Sequence, residues 1–185
     1  MSRLPGSRGR ASNLSVRQAT LKDLDVLVYQ RRAMWTDMGI RDQADHTRGD
    51  KAYRRWAESR IRNGRLMAWI AESPNGRVAG GGCLWLQPAQ PFPQGSGLLQ
   101  PYLLSMYTEP EFRRHGVASM IVNEAIQWCK RKGYKRLRLH ASEMGRGVYN
   151  KLGFKRGWEM RLDVDRLPVG PTDRKRSAIR TTIHA

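Results

Sequence analysis

Leu104-Ser105-Met106-Tyr107-Thr108-Glu109-Pro110-Glu111-Phe112-Arg113-Arg114-His115-Gly116-Val117-Ala118-Ser119 is the stretch whose reading decides the fold. It predicts a strand that stops at Pro110, a short basic turn containing Gly116, and then the first turn of a long amphipathic helix. A helix start leaves several backbone N–H groups without partners and carries the positive end of the helix dipole. Placed beside a strand end, with Arg113 and Arg114 adding charge, these groups make a seat for a phosphate. The sequence therefore predicts a phosphorylated cofactor.

Working outward from this stretch, Leu14–Ala19 alternates as a first strand, and Thr20 with Asp23 three residues later predicts a capped helix start. Leu24, Leu27, Val28, Met34 and Trp35 continue at helical spacing until Gly39. A second, basic helix is expected from about Asp50 to Arg62, with Tyr53, Trp56, Ala57 and Ile61 on one face. Leu66–Glu72 and Arg77–Leu86 form a predicted hairpin around Ser73-Pro74-Asn75-Gly76. The returning strand contains Gly80-Gly81-Gly82, poor strand material unless another group approaches the backbone closely. Gln87–Gln100 reads as a loop, Tyr102–Thr108 as a strand, Val117–Lys132 as a helix and Leu137–His140 as a strand. A short helix over Glu143–Leu152, capped by Ser142, and a last strand over Phe154–Val164 complete the order β-α-α-β-β-β-α-β-α-β. This is an α/β domain on a mixed sheet.

The chain has 185 residues, enough for one core that needs no staples. The expected organisation is a disordered basic tail over residues 1–13, a single domain over 14–165, and a basic tail over 166–185. Net charge is +18; the two tails account for +3 and +4, which leaves +11 on the body. Such a field attracts polyanions, acidic proteins and phosphorylated cofactors. Cys83 and Cys129 form no C-x-x-C pair and are read as reduced, buried thiols. There is no signal peptide, no membrane span and no metal-ligand spacing, so a soluble, cytoplasmic protein without a metal is expected.

Arg113-x-x-Gly116-x-Ala118 resembles the Q/R-x-x-G-x-G/A signature of the GNAT superfamily of N-acetyltransferases. Val148-Tyr149-Asn150-Lys151-Leu152-Gly153-Phe154 is similar to that family's Y-x-K-L-G-F ending. The likeness covers residues 14–164 in the order of elements and is tight over Leu104–Phe154. It implies a mixed, mostly antiparallel sheet with helices on both faces, and acetyl-CoA (coenzyme A) as cosubstrate. The diphosphate would rest on the turn Arg113, Arg114, His115, Gly116, Val117, Ala118 and Ser119. The pantetheine arm would pair with the main chain of Met106, Tyr107 and Thr108, and Ser142 stands where relatives often have an asparagine.

The resemblance also implies Tyr149 as the general acid that protonates the leaving thiolate, with an N–H of Leu104–Met106 holding the oxyanion. No carboxylate occupies the strand positions where some relatives keep a general base; His140 and Glu143 are near enough to be candidates, and a water chain or an amine already deprotonated in bulk would also serve. Glu109 and Glu111 read as capping the turn. Acceptor choice falls to the Trp35–His46 connection, where Asp37, Asp42 and Asp45 would attract a cationic amine, and to the Gln87–Gln100 loop. The expected activity is transfer of acetyl to a primary amine of a small molecule or protein. The competing reading is a catalytically inactive scaffold that binds RNA or the ribosome, motivated by the +11 body charge, with Tyr53 and Trp56 among Lys51, Arg54, Arg55, Arg60 and Arg62. A polyanionic partner, and the choice between monomer and homodimer, stay open.

Overall fold

The computed structural model describes residues 13–91, 97–160 and 162. The expected tail over 1–13, apart from Asn13, and the expected tail over 166–185 lie outside them. Five strands line up in sequence order: β1 (Ser15–Gln18), β2 (Leu66–Glu72), β3 (Val78–Pro88), β4 (Leu99–Thr108) and β5 (Arg138–Leu139). All neighbours are antiparallel except β4 and β5, which run parallel. Helices α1 (Leu24–Asp37) and α2 (Gln43–Arg62) cover one face, and α3 (Val117–Arg131) covers the other. α4 (Glu143–Lys151) follows β5. Among the described residues no helix is long and apolar enough to cross a membrane.

The sheet's alternation divides its side chains between two cores. Trp69, Leu84 and Leu103 meet Val117, Ile121 and Val122 of α3 on one side. Ala68, Ile70 and Cys83 meet Leu27, Val28, Tyr53 and Ala57 of α1 and α2 on the other. Cys83 and Cys129 are free, and burial pushes both thiols up to about 11.

The start of α1 is pinned to β1. Asp23 closes a capping box with Thr20 and takes both terminal nitrogens of Arg17, at 2.7 and 3.0 Å. Arg17 also reaches Glu72 of β2 at 2.7 Å. The guanidinium holds the Asp23 carboxyl down at about 2 against an ordinary 3.8. A carboxyl depressed in the folded state contributes stability that is complete above its unfolded value and lost as pH falls towards its folded one. Stability should therefore decline as pH drops from about 4 to about 2. Asp23→Asn should cost about 1–3 kcal/mol at neutral pH and flatten that acid limb. Chemical denaturation of both proteins between pH 2 and 7 reads this directly, and a parallel acid limb in the variant would refute it.

Four expectations change. α2 begins at Gln43, not Asp50, because Asp42 caps it by accepting from the Asp45 N–H at 2.8 Å; the polar first turns carry no apolar period that would reveal them. The expected Gln87–Gln100 loop is shorter, since Gln87 pairs with Gln100, Pro88 with Leu99, and the Ala89 N–H donates to the Leu98 carbonyl. β5 is only two residues long. No strand occurs over Phe154–Met160, where Lys155-Arg156-Gly157 supplies weak strand formers, and residues 161 and 163–164 lie outside the described residues. The chain divides into a compact unit ending at Phe154 and a second from Lys155.

Candidate active site

The parallel pairing of β4 with β5 consists of Tyr102 opposite Arg138 and Leu103 opposite Leu139. β4 then runs on to Thr108 with β3 on one side and, among the described residues, no strand on the other. The strands part at Leu104, and His140 is the first residue beyond the last pair on the other strand. A slot bordered by main-chain groups of β4 therefore opens between these two ends.

At the same place β4 carries a bulge. Gly81 pairs with Tyr107 and Cys83 with Leu104, so Ser105 and Met106 together oppose the single residue Gly82. Ser105 is held at a left-handed φ of 52°. The bulge needs the triple glycine. A Cβ at Gly82 would lie 2.1 Å from the Met106 sulfur, one at Gly81 2.2 Å from the Gln30 side-chain oxygen, and one at Gly80 2.6 Å from the Tyr107 carbonyl oxygen. The close approach inferred from the sequence is thus made by α1 and by β4 itself.

Past Thr108 one turn of 3-10 helix (Pro110–Phe112) leads to the basic turn. Arg114 and Gly116 are both left-handed, at φ 66° and 81°, the alternation that turns consecutive N–H groups inward as a nest. The first helical bond of α3 runs from Met120 N–H to the Gly116 carbonyl, so the N–H groups of Val117, Ala118 and Ser119 lie ahead of the ladder. No acidic residue occupies the first turn. These features fit a diphosphate.

The two arginines separate in role. Arg114 is exposed, as are His115 and Gly116. The Arg113 side chain instead folds back: its Nε donates to the Thr108 carbonyl at 3.1 Å, its fork pairs with Asp37 at 2.5 Å, and its guanidinium lies 5.8 Å from the Tyr107 ring centre. It ties the end of α1 to the end of β4. Tyr107 is buried against Tyr29 of α1, so only its main chain can reach the slot.

Tyr149 projects from α4. Its ring meets Phe154 edge-on at 5.8 Å and lies over Gly145, where a Cβ would come within 2.9 Å of it. Burial raises its phenol above the ordinary value and keeps it protonated at neutral pH. Ser142 caps α4 by accepting from the Gly145 N–H at 3.2 Å, which leaves its own O–H to donate. His140 is exposed, with no hydrogen bond or ion pair among the described residues.

The acidic residues expected to draw a cationic amine are already engaged. Asp37 pairs with Arg113, Asp42 caps α2, and Asp45 pairs with Arg48. Nor do the glutamates of the turn cap it with their side chains. Glu111 pairs with Arg77 at 2.7 Å, while Glu109 accepts from the Tyr29 hydroxyl at 3.4 Å, its carboxyl raised by burial and then by Glu111. Two features escaped the sequence reading, the Ser105 bulge and the Tyr29–Glu109 contact; no spacing rule announces either. Among the described residues no group of three or more His, Cys, Asp or Glu could hold a metal ion.

The family model described as the acetyltransferase (GNAT) family matches residues 31–154. The chain belongs to that family. The span holds the slot, the nest and Tyr149 together. A glucosamine 6-phosphate N-acetyltransferase from Trypanosoma brucei brucei is 28% identical over 109 residues, covering 58% of this chain and 72% of that one. A protein from Clostridium acetobutylicum described as a predicted acetyltransferase, solved with acetyl-CoA, superposes with a TM-score of 0.74 at 28% identity, over 83% of this GNAT chain and 98% of its own. A GCN5-related N-acetyltransferase from Ralstonia eutropha gives a TM-score of 0.75 at 25% identity, over 83% and 99%. The mixed, mostly antiparallel sheet with helices on both faces is the family's fold.

Proposed function

We propose that this chain is an acetyl-CoA-dependent N-acetyltransferase acting on a primary amine of a small molecule or protein. The observation that carries the reading is the edge of β4 from Leu104 to Thr108, which no other strand pairs on that side among the described residues and which leads directly into the nest around Gly116. An amide-bearing arm fits the edge as an added strand, and a diphosphate fits the nest. Acetyl-CoA supplies an activated thioester carbonyl.

The chain's own groups then divide the work. Main-chain groups of Met106, Tyr107 and Thr108 hold the arm, and an N–H of Leu104–Met106 faces the oxyanion as charge develops. His140, across the gap from Leu104, takes the amine's proton directly or through water. The amine nitrogen forms a bond to the acetyl carbon, the carbon–sulfur bond breaks, and the Tyr149 phenol gives its proton to sulfur.

Acetyl-CoA at a hundred times its dissociation constant should stabilise the fold by about 2.7 kcal/mol. Differential scanning fluorimetry should show a melting shift of several degrees, and free-thiol release with an amine panel should report transfer. No melting shift at millimolar acetyl-CoA would remove the proposal. The RNA-binding alternative loses its stacking argument and rests on the +11 body charge alone, because Tyr53 is buried and Trp56 is packed between Tyr53, Trp85 and Arg60. Neither ring is free to stack on a base.

A further inference from the structure

We infer that Arg31 is an acceptor-binding residue, and that the amine acceptor carries a carboxylate or phosphate that Arg31 receives. This rests on the proposed acetyl transfer and names the acceptor's class. Most arginines of the two helices that cover this face have a carboxylate: Arg32 pairs with Asp50, Arg48 with Asp45, Arg54 with Asp25 and Arg62 with Glu58. Arg31 is half-buried between α1 and α2 and has none among the described residues. Its guanidinium instead lies over the Tyr53 ring at 4.8 Å and the Trp35 ring at 5.8 Å. Arg60 is stacked in a similar way, but it donates to the Trp56 carbonyl at 3.2 Å; Arg31 donates no hydrogen bond to a described residue.

A guanidinium stacked on aromatic faces keeps its five N–H groups, which lie in its own plane, available at the edge. That edge matches a carboxylate or phosphate in bidentate fashion. Leaving it unmatched in a partly desolvated place is costly. The glycine opposite contributes room, since even a Cβ at Gly49 would stay 3.7 Å from the Arg31 fork.

Location ties this cation to the chemistry. The Tyr53 ring under Arg31 points its hydroxyl at the Ser105 side chain and at the Cys83 sulfur, 3.6 Å away. Ser105 is the left-handed bulge residue where the free edge of β4 begins. One tyrosine thus separates the guanidinium from the strand position at which the acetyl carbon is proposed to react. Asp37 and Asp45 are each paired with an arginine and Asp42 accepts from the Asp45 N–H, so none of the three is paired with Arg31.

The test titrates the CoA-saturated protein calorimetrically with matched pairs. Glucosamine 6-phosphate against glucosamine probes phosphate, and β-alanine against its amide probes carboxylate. At least one anionic member should bind about ten- to a hundred-fold tighter than its neutral partner. Arg31→Gln should erase that preference, and Arg31→Lys should keep part of it. In turnover the loss should appear in the acceptor KM, with the acetyl-CoA KM unchanged. Equal binding within both pairs, binding of neither anionic member, or an Arg31→Gln protein that keeps the preference would overturn the assignment. A protein that ignores acetyl-CoA altogether would instead defeat the acetyltransferase reading, and the melting shift separates the two failures.

Discussion

Tyr149→Phe is expected to lower kcat for acetyl transfer by about 10²–10⁴-fold, the range for loss of a general acid, while acetyl-CoA affinity stays within about two-fold. The substitution removes one oxygen and keeps the ring. The edge-on contact with Phe154 and the fit over Gly145 both persist, so α4 has no reason to move. The phenol is suited to giving a proton because burial raises its pKa. It therefore stays protonated across the neutral range, and any loss of acid function with pH should begin only above the ordinary tyrosine value of about 10. Steady-state kinetics with free-thiol detection, together with calorimetric titration of acetyl-CoA, distinguishes the outcomes. A variant that loses cofactor binding would make Tyr149 a packing residue. One that turns over like the parent would mean sulfur leaves without its help.

The parts of this architecture visible in the sequence are those governed by local rules. β2 is found with its expected bounds because Leu66–Glu72 is an apolar run between Asn63-Gly64 and a turn. The capping box at Thr20 and the Ser142 cap were readable because capping depends on residues two to three positions apart. α3 starts at Val117, directly after the left-handed Gly116. What stayed hidden depends on partners far along the chain. Arg113 reads as a phosphate ligand until Asp37, 76 residues away, is seen to hold it. Asp37 reads as bait for a cation for the same reason. The Ser105 bulge follows from a register count between β3 and β4, and only paired strands reveal a register. Arg31 looks like any helical surface arginine until two aromatic rings are found beneath it.

Gly80→Ala should be the most damaging single-methyl change in the sheet. Its Cβ would fall 2.6 Å from the Tyr107 carbonyl oxygen, 2.9 Å from a Val117 methyl and 3.1 Å from the Thr108 Cα. Two of these are backbone atoms of β4, which cannot rotate aside as a side-chain tip can. Relief requires β3 and β4 to separate at the stretch proposed to hold the pantetheine arm, and it presses on the first residue of α3. Overpacking of this kind costs about 1–3 kcal/mol, and here the upper end is expected. For a unit of this size that is a fall in Tm of about 5–10 °C. Acetyl-CoA affinity should weaken as well, because Tyr107 and Thr108 belong to both the clash and the slot. Gly147→Ala is the matched control. Gly147 lies inside α4 with nothing within 4 Å of the added carbon, so the same methyl should stabilise by about 0.5–1 kcal/mol. Thermal melts of the two variants, each with and without acetyl-CoA, should move in opposite directions. If Gly80→Ala melts with the parent and binds acetyl-CoA equally well, the triple glycine does not set the position of β4.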